Sequence, residues 1–119
     1  CMRKALLNSG LQPEQIDYIN AHATGTIQGD AAEAKAIQNI FANSVAVSSL
    51  KGHLGHTMAA SGALELIATI LMLEQKKIIG TLNLEEVDPE CAKINHIGEI
   101  EEYPLTIALK NNFALGGVN

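Results

Sequence analysis

A glycine-rich stretch, Lys51-Gly52-His53-Leu54-Gly55-His56, presents a lysine and two histidines directly before a long apolar segment. From Met58 to Leu73 the side chains are mostly Ala, Leu, Ile and Met, interrupted mainly by Ser61, Glu65 and Thr69. A helix that is apolar on every side is usually buried, so we predict a core helix here. Titratable side chains at the N-terminal end of such a helix are typical of a site that handles charge away from water.

Length and composition indicate one domain with a modest core, since the chain has 119 residues, of which 47% are hydrophobic. The net charge is -5 and the only basic pair, Lys76-Lys77, stands where the apolar helix should end, so we expect no nucleic-acid partner. The apolar segment contains Glu65 and is shorter than the about 20 residues that span a bilayer, so we also expect no membrane partner. Cys1 and Cys91 form no motif, which favours a reducing cytoplasm over a disulfide framework.

Hydrophobic periodicity and turn residues predict alternating helices and strands. The expected helices are 2–9, Asp30 to about Phe41 and Met58 to about Gln75, and the expected strands are Ile16–Ala21, Val45–Ser49 and Leu105–Asn111. Asp30 and Glu33 fit a capping box at the start of the second helix. Residues 78–102 should be irregular, with short extended pieces at most. This order predicts an α/β fold with βαβ layers, a mixed sheet of about four strands and the apolar helix buried on one face.

Three loops follow the predicted strands, at 22–29, 51–56 and 113–117. In a parallel sheet the loops after the carboxyl ends of the strands gather at one edge, and sites form there. We therefore expect His22, the lysine and histidines of the second loop, and the glycine-rich third loop to lie near one another. This placement does not by itself name the chemistry.

Two chemistries fit histidines and a lysine among glycines. His53 and His56 are three residues apart, and His22 or His96 could complete a metal site, but no acidic or cysteine ligand stands at metal spacing, so we expect no metal. The preferred hypothesis is acyl transfer, in which neutral imidazoles donate hydrogen bonds to a developing enolate. For His53 and His96 an ordinary structural role is favoured, whereas Lys51 and His56 together favour a function.

Three motifs resemble the signatures of the β-ketoacyl synthases. They are His22-x-Thr24-Gly25-Thr26-x-x-Gly29-Asp30-x-x-Glu33, Lys51-x-x-x-Gly55-His56-x-x-x-Ala60-x-Gly62-x-x-Glu65 and Asn111-x-Phe113-x-x-Gly116-Gly117-x-Asn119. They occur in the order and at the spacing of that family and cover nearly the whole chain. The resemblance implies the C-terminal half of a thiolase-like fold. Residues 1–119 would then be one domain of a longer protein, with the nucleophilic cysteine in an N-terminal half and the last strand after Asn119.

The resemblance also implies a reaction, the decarboxylative Claisen condensation of a malonyl thioester with an acyl-enzyme in fatty-acid or polyketide biosynthesis. Carried over by motif, His22 and His56 would be catalytic histidines that bind the malonyl carbonyl and stabilise the enolate. Lys51 would orient His56 and tune the local field, with Glu65 as the acidic partner of that network. No covalently bound cofactor is implied, because the substrate arrives on the phosphopantetheine of an acyl carrier protein.

Two loops would contact the substrate if the family's roles carry over. Thr24 and Thr26 would hydrogen-bond the pantetheine arm. The acyl-site loop would be formed by Phe113, Leu115, Gly116 and Gly117. Ala23 departs from the family's usual Gly, and Leu115 departs from a second Phe that gates the acyl-cysteine in many elongating members, which affects chain-length selection rather than reaction class.

The resemblance places the nucleophile outside these residues. Cys91 has no nearby base and Cys1 follows no turn, so we expect the chain alone to be inactive. The implied partners are an acyl carrier protein and a second subunit, either a copy of the synthase or a ketosynthase-like partner, in the cytoplasm. An alternative is a non-catalytic partner subunit of the chain-length-factor type, although such subunits typically lose the residues that His22, Lys51 and His56 represent.

Overall fold

The computed structural model describes residues 1–41, 44–91, 93–114 and 116. The helices are α1 (Met2–Ser9), α2 (Ile27–Phe41), α3 (Lys51–Leu54) and α4 (Ser61–Gln75), and the strands are β1 (Tyr18–Asn20), β2 (Ala46–Ser48), β3 (Lys77–Ile78), β4 (Asn95–His96), β5 (Glu101–Glu102) and β6 (Ala108–Lys110). Short 3₁₀ turns lie at Pro13–Gln15, Met58–Ala60 and Pro89–Cys91. The predicted alternation of strands and helices, and the helix 2–9 that ends at Gly10, are confirmed.

Within the described residues, four strands form a parallel sheet in the order β4-β2-β1-β6. Ile19 at the centre of β1 pairs with Val47 of β2 on one side and with Leu109 of β6 on the other. The α/β class is therefore confirmed. The sheet differs from the expected mixed one because the antiparallel pairing is confined to a separate ribbon, in which Ile78 of β3 pairs with Glu101 of β5. Helix α2 joins β1 to β2, and a helical crossover of this kind connects parallel strands.

The two faces of the sheet carry two apolar cores. Successive side chains of a strand point to opposite faces. Ile19 and Val47 pack in the core that includes Met2 and Leu6 of α1 and Ile37 of α2. Tyr18 and Ala46, one position earlier in each strand, pack on the other face with Met72 of α4. The sheet thus holds α1 and α2 on one face and α4 on the other.

Helix α4 packs on the sheet through one face, as expected, and the described residues leave its other faces uncovered. The residues that α4 buries are Ser61, Glu65, Thr69 and Met72. Its apolar residues on other faces are partly exposed, at 41% for Leu64, 56% for Ile67 and 48% for Leu71. Residues four apart share one helix face, so the few polar residues of the segment form a single stripe. A buried carboxylate must be paired, and pairing Glu65 turns this polar stripe, rather than an apolar one, towards the sheet.

The segment Met58–Gln75 is long and apolar enough to cross a membrane by length and composition alone, with a mean hydropathy of 1.3. In the structure this segment lies on the parallel sheet, and Glu65 forms ion pairs there. Apolar composition over this length also occurs in helices that pack between two protein layers. The sheet covers the polar stripe of the helix. No described residues form a second layer over Leu64, Ile67 and Leu71.

The segment expected to be irregular, 78–102, supplies an edge strand of the main sheet. Asn95 and His96 of β4 pair with Ala46 and Val47 of β2. A strand of two residues is too short to show the alternation of apolar and polar side chains by which strands are predicted. Gly80 permits the close approach of this segment to itself, since a Cβ at Gly80 would lie 2.3 Å from the backbone nitrogen of Glu99.

The start of α2 also differs from the prediction. The helix begins at Ile27 rather than at Asp30, so the capping box of Asp30 and Glu33 is not formed. The carboxylate of Asp30 instead accepts a hydrogen bond from the backbone N–H of Gly25 at 3.2 Å. Glu33 turns inwards, where it is 4% exposed. There it binds the backbone of the residues that follow β1.

Candidate active site

Two histidines and a phenylalanine meet at the edge of the sheet where the strands end. The ring centroids of His22 and His56 are 5.5 Å apart, with the rings nearly perpendicular at 86°. Phe113 lies 5.5 Å from His22 on an edge-to-face contact of 79°. His22 follows β1, His56 follows α3, and Phe113 follows β6. The structure thus brings together residues from all three loops that the sequence placed at one edge.

The hydrogen bonds of His56 define its tautomer. The backbone N–H of Met58 donates to Nδ1 of His56 at 3.1 Å, and the hydroxyl of Ser61 lies 3.3 Å from the same nitrogen. A nitrogen that accepts an amide hydrogen bond carries no proton, so a neutral His56 has its proton on Nε2. The ring therefore has a donor at Nε2, which is the kind of group that binds a carbonyl oxygen.

Glu33 fixes the backbone of the His22 loop. Its carboxylate accepts the backbone N–H of His22 at 2.9 Å, that of Ala23 at 2.8 Å and the side-chain amide of Asn111 at 3.0 Å. One buried carboxylate thus joins the ends of β1 and β6 to α2. Sequence reasoning missed this role. The available signal was that Glu33 stands four residues before Ile37 on the apolar face of α2, where an acid needs buried donors.

The surroundings of His22 favour the neutral form of its ring. Burial lowers the pKa of His22, and the positive charge of Lys51 lowers it further, while Glu33 opposes these effects. Lys110 and His56 add smaller lowering effects. Among the described residues, the buried Nδ1 of His22 has no hydrogen-bond partner. A neutral imidazole donates a hydrogen bond without readily releasing its proton, which suits the stabilisation of an anion that must stay unprotonated.

A buried ion-pair network lies beside the histidines. Nζ of Lys51 is 2.6 Å from Oε1 of Glu65, and Nζ of Lys110 is 2.5 Å from Oε2 of the same carboxylate. The side chains of Lys51, Lys110 and Glu65 are 7%, 10% and 2% exposed. Burial alone would raise the pKa of Glu65, but the two lysines outweigh it and hold that pKa below its ordinary value. The expected pairing of Lys51 with Glu65 is present, and Lys110 is a member that sequence reasoning missed.

Lys51 does not hold His56 by a hydrogen bond in the described part of the chain. The hydrogen bonds given for His56 come from Met58 and Ser61. Lys51 instead acts at a distance, through its charge on His22. The role of Lys51 in orienting His56 therefore stays a prediction, and its ammonium pairs with the buried carboxylate of Glu65.

The residues expected to contact the substrate are only partly described. The hydroxyl oxygens of Thr24 and Thr26 are 3.2 Å apart, and this pair is exposed to solvent. Gly29 leaves room for this arrangement, since a Cβ there would lie 2.4 Å from Oγ1 of Thr26. Gly116 has a φ of 87°, a conformation that favours glycine. Leu115 and Gly117, also expected in the acyl-site loop, lie outside the described residues.

His53, His96 and Cys91 lie apart from the histidine pair. Nε2 of His53 is 3.0 Å from the carbonyl oxygen of Gly80, and Nε2 of His96 is 2.6 Å from that of Cys91. Burial raises the pKa of the Cys91 thiol, and the carboxylate of Asp88 raises it further, so this cysteine is a poor nucleophile. His96 and Cys91 line a cavity of about 280 Å³, and its lining also includes Ala23, Thr26 and Glu33. In the described ranges no group of three His, Cys, Asp or Glu side chains is arranged to hold a metal ion.

The backbone of the His22 loop is strained at Ala23, which has a φ of 27°. A positive φ brings a Cβ against the backbone and costs roughly 1–2 kcal/mol for a residue other than glycine. We expect Ala23→Gly to raise the free energy of unfolding by up to about 1 kcal/mol, because glycine relieves the strain but loses more entropy on folding. Denaturant unfolding of the purified protein measures this change.

Ala5→Gly is the matched control for that substitution. Ala5 is an exposed residue inside α1, where the backbone is helical. Glycine there should lower the stability by about 1 kcal/mol. If Ala23→Gly lowered the stability as much as Ala5→Gly does, the φ of Ala23 would carry no strain.

The fold and the histidine pair define an α/β domain in which two histidine rings meet at the carboxyl edge of a parallel sheet. Residues 1–85 match the family model described as the β-ketoacyl synthase C-terminal domain, and the chain belongs to this family. The resemblance read from the three motifs is therefore confirmed.

Relatives of established name agree with this assignment. The chain is 41% identical over 118 residues to a 3-oxoacyl-[acyl-carrier-protein] synthase 2 of Synechocystis sp., a match that covers 97% of this chain and 28% of the relative. It is 44% identical over 117 residues to the synthase of the same name in Mycobacterium bovis, covering 98% of this chain and 28% of the relative. The chain thus spans less than a third of the length of the relatives it matches.

Solved ketosynthase structures share the fold. A β-ketoacyl synthase from Burkholderia phymatum STM815 superposes with a TM-score of 0.94 at 44% identity, covering 98% of this chain and 29% of that one. The ishigamide ketosynthase/chain length factor gives a TM-score of 0.93 at 35% identity, covering 98% and 29%. A type II polyketide ketosynthase in complex with its acyl carrier protein gives a TM-score of 0.83 at 31% identity. This match covers 92% of this chain and 28% of that one. The predicted thiolase-like fold is confirmed.

Proposed function

We propose that this domain forms the decarboxylation half of the active site of a β-ketoacyl-[acyl-carrier-protein] synthase. The complete enzyme would be an acyltransferase that condenses a malonyl thioester with an acyl-enzyme in fatty-acid or polyketide biosynthesis. The observation that carries the proposal is the contact of His22 and His56, whose ring centroids are 5.5 Å apart beside two buried lysines. The names of the relatives support the same reaction.

The chemistry required of the histidines follows from the electrons that move. The bond between the malonyl α-carbon and its carboxylate breaks, carbon dioxide leaves, and the electron pair passes to the thioester carbonyl as an enolate. The enolate then attacks the acyl thioester, a carbon–carbon bond forms, and the enzyme thiolate leaves. Nε2–H of His56 and the ring of His22 would donate to the enolate oxygen while its charge develops.

Neutral rings suit this step better than protonated ones. An imidazolium is acidic enough to protonate the nascent carbanion and divert it from condensation. Burial and the charge of Lys51 lower the pKa of His22 and so disfavour its protonated form. Decarboxylation should therefore be lost as the pH falls through the lowered pKa of His22.

Substrate and acyl chain would approach from the open side of the pair. Thr24 and Thr26 lie in the loop that follows His22, and their exposed hydroxyl groups would bind the pantetheine arm of the carrier protein. Phe113 packs on His22 and would border the acyl-cysteine. We propose no covalently bound cofactor, since the carrier protein supplies the phosphopantetheine.

The partners and the compartment follow from the same proposal. An acyl carrier protein would deliver the malonyl group, as the complex of one solved relative illustrates for that protein. A second ketosynthase subunit, identical or ketosynthase-like, would complete a dimer. Cys1 and Cys91 are free thiols, which fits a cytoplasmic enzyme.

The nucleophile would come from another part of the complete enzyme. The raised pKa of the Cys91 thiol argues against it as the acyl acceptor. In the complete synthase, condensation of acyl and malonyl thioesters should persist in Cys91→Ala, and the 119-residue chain alone should show none. Product analysis by mass spectrometry measures both. Turnover by the chain alone that Cys91→Ala abolishes would sink the proposal.

A non-catalytic partner of the chain-length-factor type remains the competing function, since one solved relative is a ketosynthase/chain length factor. The intact pair of His22 and His56 beside Lys51 favours the catalytic role. A complete protein that binds a ketosynthase but neither decarboxylates malonyl thioesters nor accepts an acyl group would be the partner subunit.

A further inference from the structure

The side-chain ammonium of Lys110 is surrounded by oxygen acceptors. None of the three sequence motifs includes this lysine. Its ammonium lies 2.5 Å from Oε2 of Glu65 and 2.9 Å from Oδ1 of Asn112, and it also donates to the carbonyl oxygen of Asn111. The side chain is only 10% exposed. Burial lowers the pKa of Lys110, and Glu65 counteracts this only in part. A lysine is rarely buried to this extent unless it is paired, and here the carboxylate of Glu65 provides the pairing.

The ammonium joins two elements that carry site residues. Glu65 belongs to α4, whereas Asn111 and Asn112 lead from β6 to Phe113, which packs on His22. Gly62 of α4 allows this approach, because a Cβ there would lie 2.6 Å from the side-chain nitrogen of Asn112. The segment that holds Phe113 is thus fixed to α4 through Lys110.

The ammonium of Lys110 also determines the net charge of the buried ion-pair network beside the histidines. Glu65 carries one negative charge, and Lys51 and Lys110 carry two positive charges, so the buried network is net positive. The charged and titratable groups that act on His22 are Lys51 from α3, Lys110 from β6, Glu33 from α2 and His56 from the following turn. Without Lys110 the network would have no net charge. One of the positive charges that counteract the effect of Glu33 on the pKa of His22 would then be lost.

We propose that Lys110 is a positioning residue of the decarboxylation site, which fixes the Phe113 segment to α4 and adds a second positive charge to the buried pair of Lys51 and Glu65. This inference rests on the proposed function. It goes beyond that function because it names a determinant outside the three motifs. Any synthase that shares the motifs but has a neutral residue at this position would lack the second ammonium.

The test is the pH profile of malonyl decarboxylation by the complete synthase with Lys110→Met, a neutral side chain of similar length. We expect kcat to fall roughly tenfold or more at the acid end of the profile, with KM changed less. The acid limb should move to higher pH, because loss of the nearby positive charge raises the pKa of His22. Lys110→Arg, which keeps the charge, should leave the acid limb where it is.

Two further variants make the result decisive. Lys77→Met removes an exposed lysine whose nearest carboxylate, that of Glu102, is 3.9 Å away, and it should leave the profile unchanged. Lys110→Gln keeps a donor for Glu65 without the charge, and it replaces the Met variant if that variant does not fold.

The outcomes separate the two proposals. A loss that is equal at every pH, an unchanged profile, or failure of both neutral variants to fold would assign Lys110 to structure alone and overturn this inference. A wild-type protein that does not decarboxylate malonyl thioesters at any pH would overturn the proposed function and, with it, the role given to Lys110.

Discussion

Replacing either histidine of the pair in the complete synthase should cut malonyl decarboxylation by roughly two to three orders of magnitude. The two changes are His22→Ala and His56→Ala. Each removes a donor to the enolate oxygen, and the loss of one such donor costs about 3–4 kcal/mol of barrier. Release of labelled carbon dioxide from a malonyl-carrier thioester measures the step directly.

Acylation of the enzyme should suffer less in the same variants. Enolate charge develops only during decarboxylation, so an interaction made only there affects only that step. Labelling of the synthase with an acyl donor, followed by mass spectrometry of the intact protein, provides the comparison. Equal loss in both assays would indicate that the histidines hold the fold rather than the enolate.

The other two histidines are the matched controls. His53 contacts the carbonyl of Gly80, and His96 contacts that of Cys91, both apart from the pair. We expect His53→Ala and His96→Ala to leave decarboxylation near the wild-type rate. If His53→Ala were as damaging as His56→Ala and zinc co-purified with the protein, a metal site would replace the present interpretation. Tolerance of both His22→Ala and His56→Ala would favour the non-catalytic partner.

Glu65→Gln should be the most destabilising single substitution in the network. The amide is nearly isosteric with the carboxylate but leaves Lys51 and Lys110 buried without a counter-charge. Removing one partner of a buried ion pair typically costs about 3–5 kcal/mol. The difference in denaturant midpoint between variant and wild type, at equal slope, gives the change in the free energy of unfolding.

The pH dependence provides the second readout for Glu65. Its pKa is lower in the folded protein than in the unfolded chain, so its ionised form stabilises the fold at neutral pH. This contribution is present above the unfolded-state pKa and is lost as the pH falls through the folded-state pKa. The stability gap between wild type and Glu65→Gln should therefore narrow in acid. Glu74→Gln, an exposed position near the end of α4, should change the stability little at any pH.

The exposed apolar face of α4 shows that the apolar pattern of this segment describes the complete protein rather than the described residues alone. An all-apolar helix indicates burial on every side only when the whole protein around it is considered. Here the described residues cover the polar stripe, and Leu64, Ile67 and Leu71 are left partly exposed. The chain spans less than a third of the relatives it matches. We expect that a further protein layer covers this face in the complete synthase.

Glu33 and Lys110 show which site residues a sequence pattern does not reveal. Glu33 fitted a capping box, because Asp and Glu spaced by three residues before an apolar run have that signature. Helix α2 begins earlier, and the carboxylate instead accepts the backbone N–H groups of His22 and Ala23. Lys110 ends an apolar strand, where a lysine usually points to solvent. The helical spacing of Glu33 signals its burial but does not reveal which backbone groups it binds, and the partner of Lys110, Glu65, lies in a different helix.

The sequence by itself determined the alternation of strands and helices, the gathering of His22, His56 and Phe113 at one edge, and the family. Periodicity and turn residues are local, and the rule that loops gather at the carboxyl edge of a parallel sheet needs only the order of elements. Only the tertiary structure decided which face of α4 is buried, that Glu65 pairs with two lysines, and that Glu33 holds the His22 loop. Burial of charge depends on partners that the fold brings from distant positions, so these features became visible only when all the packed elements were in place.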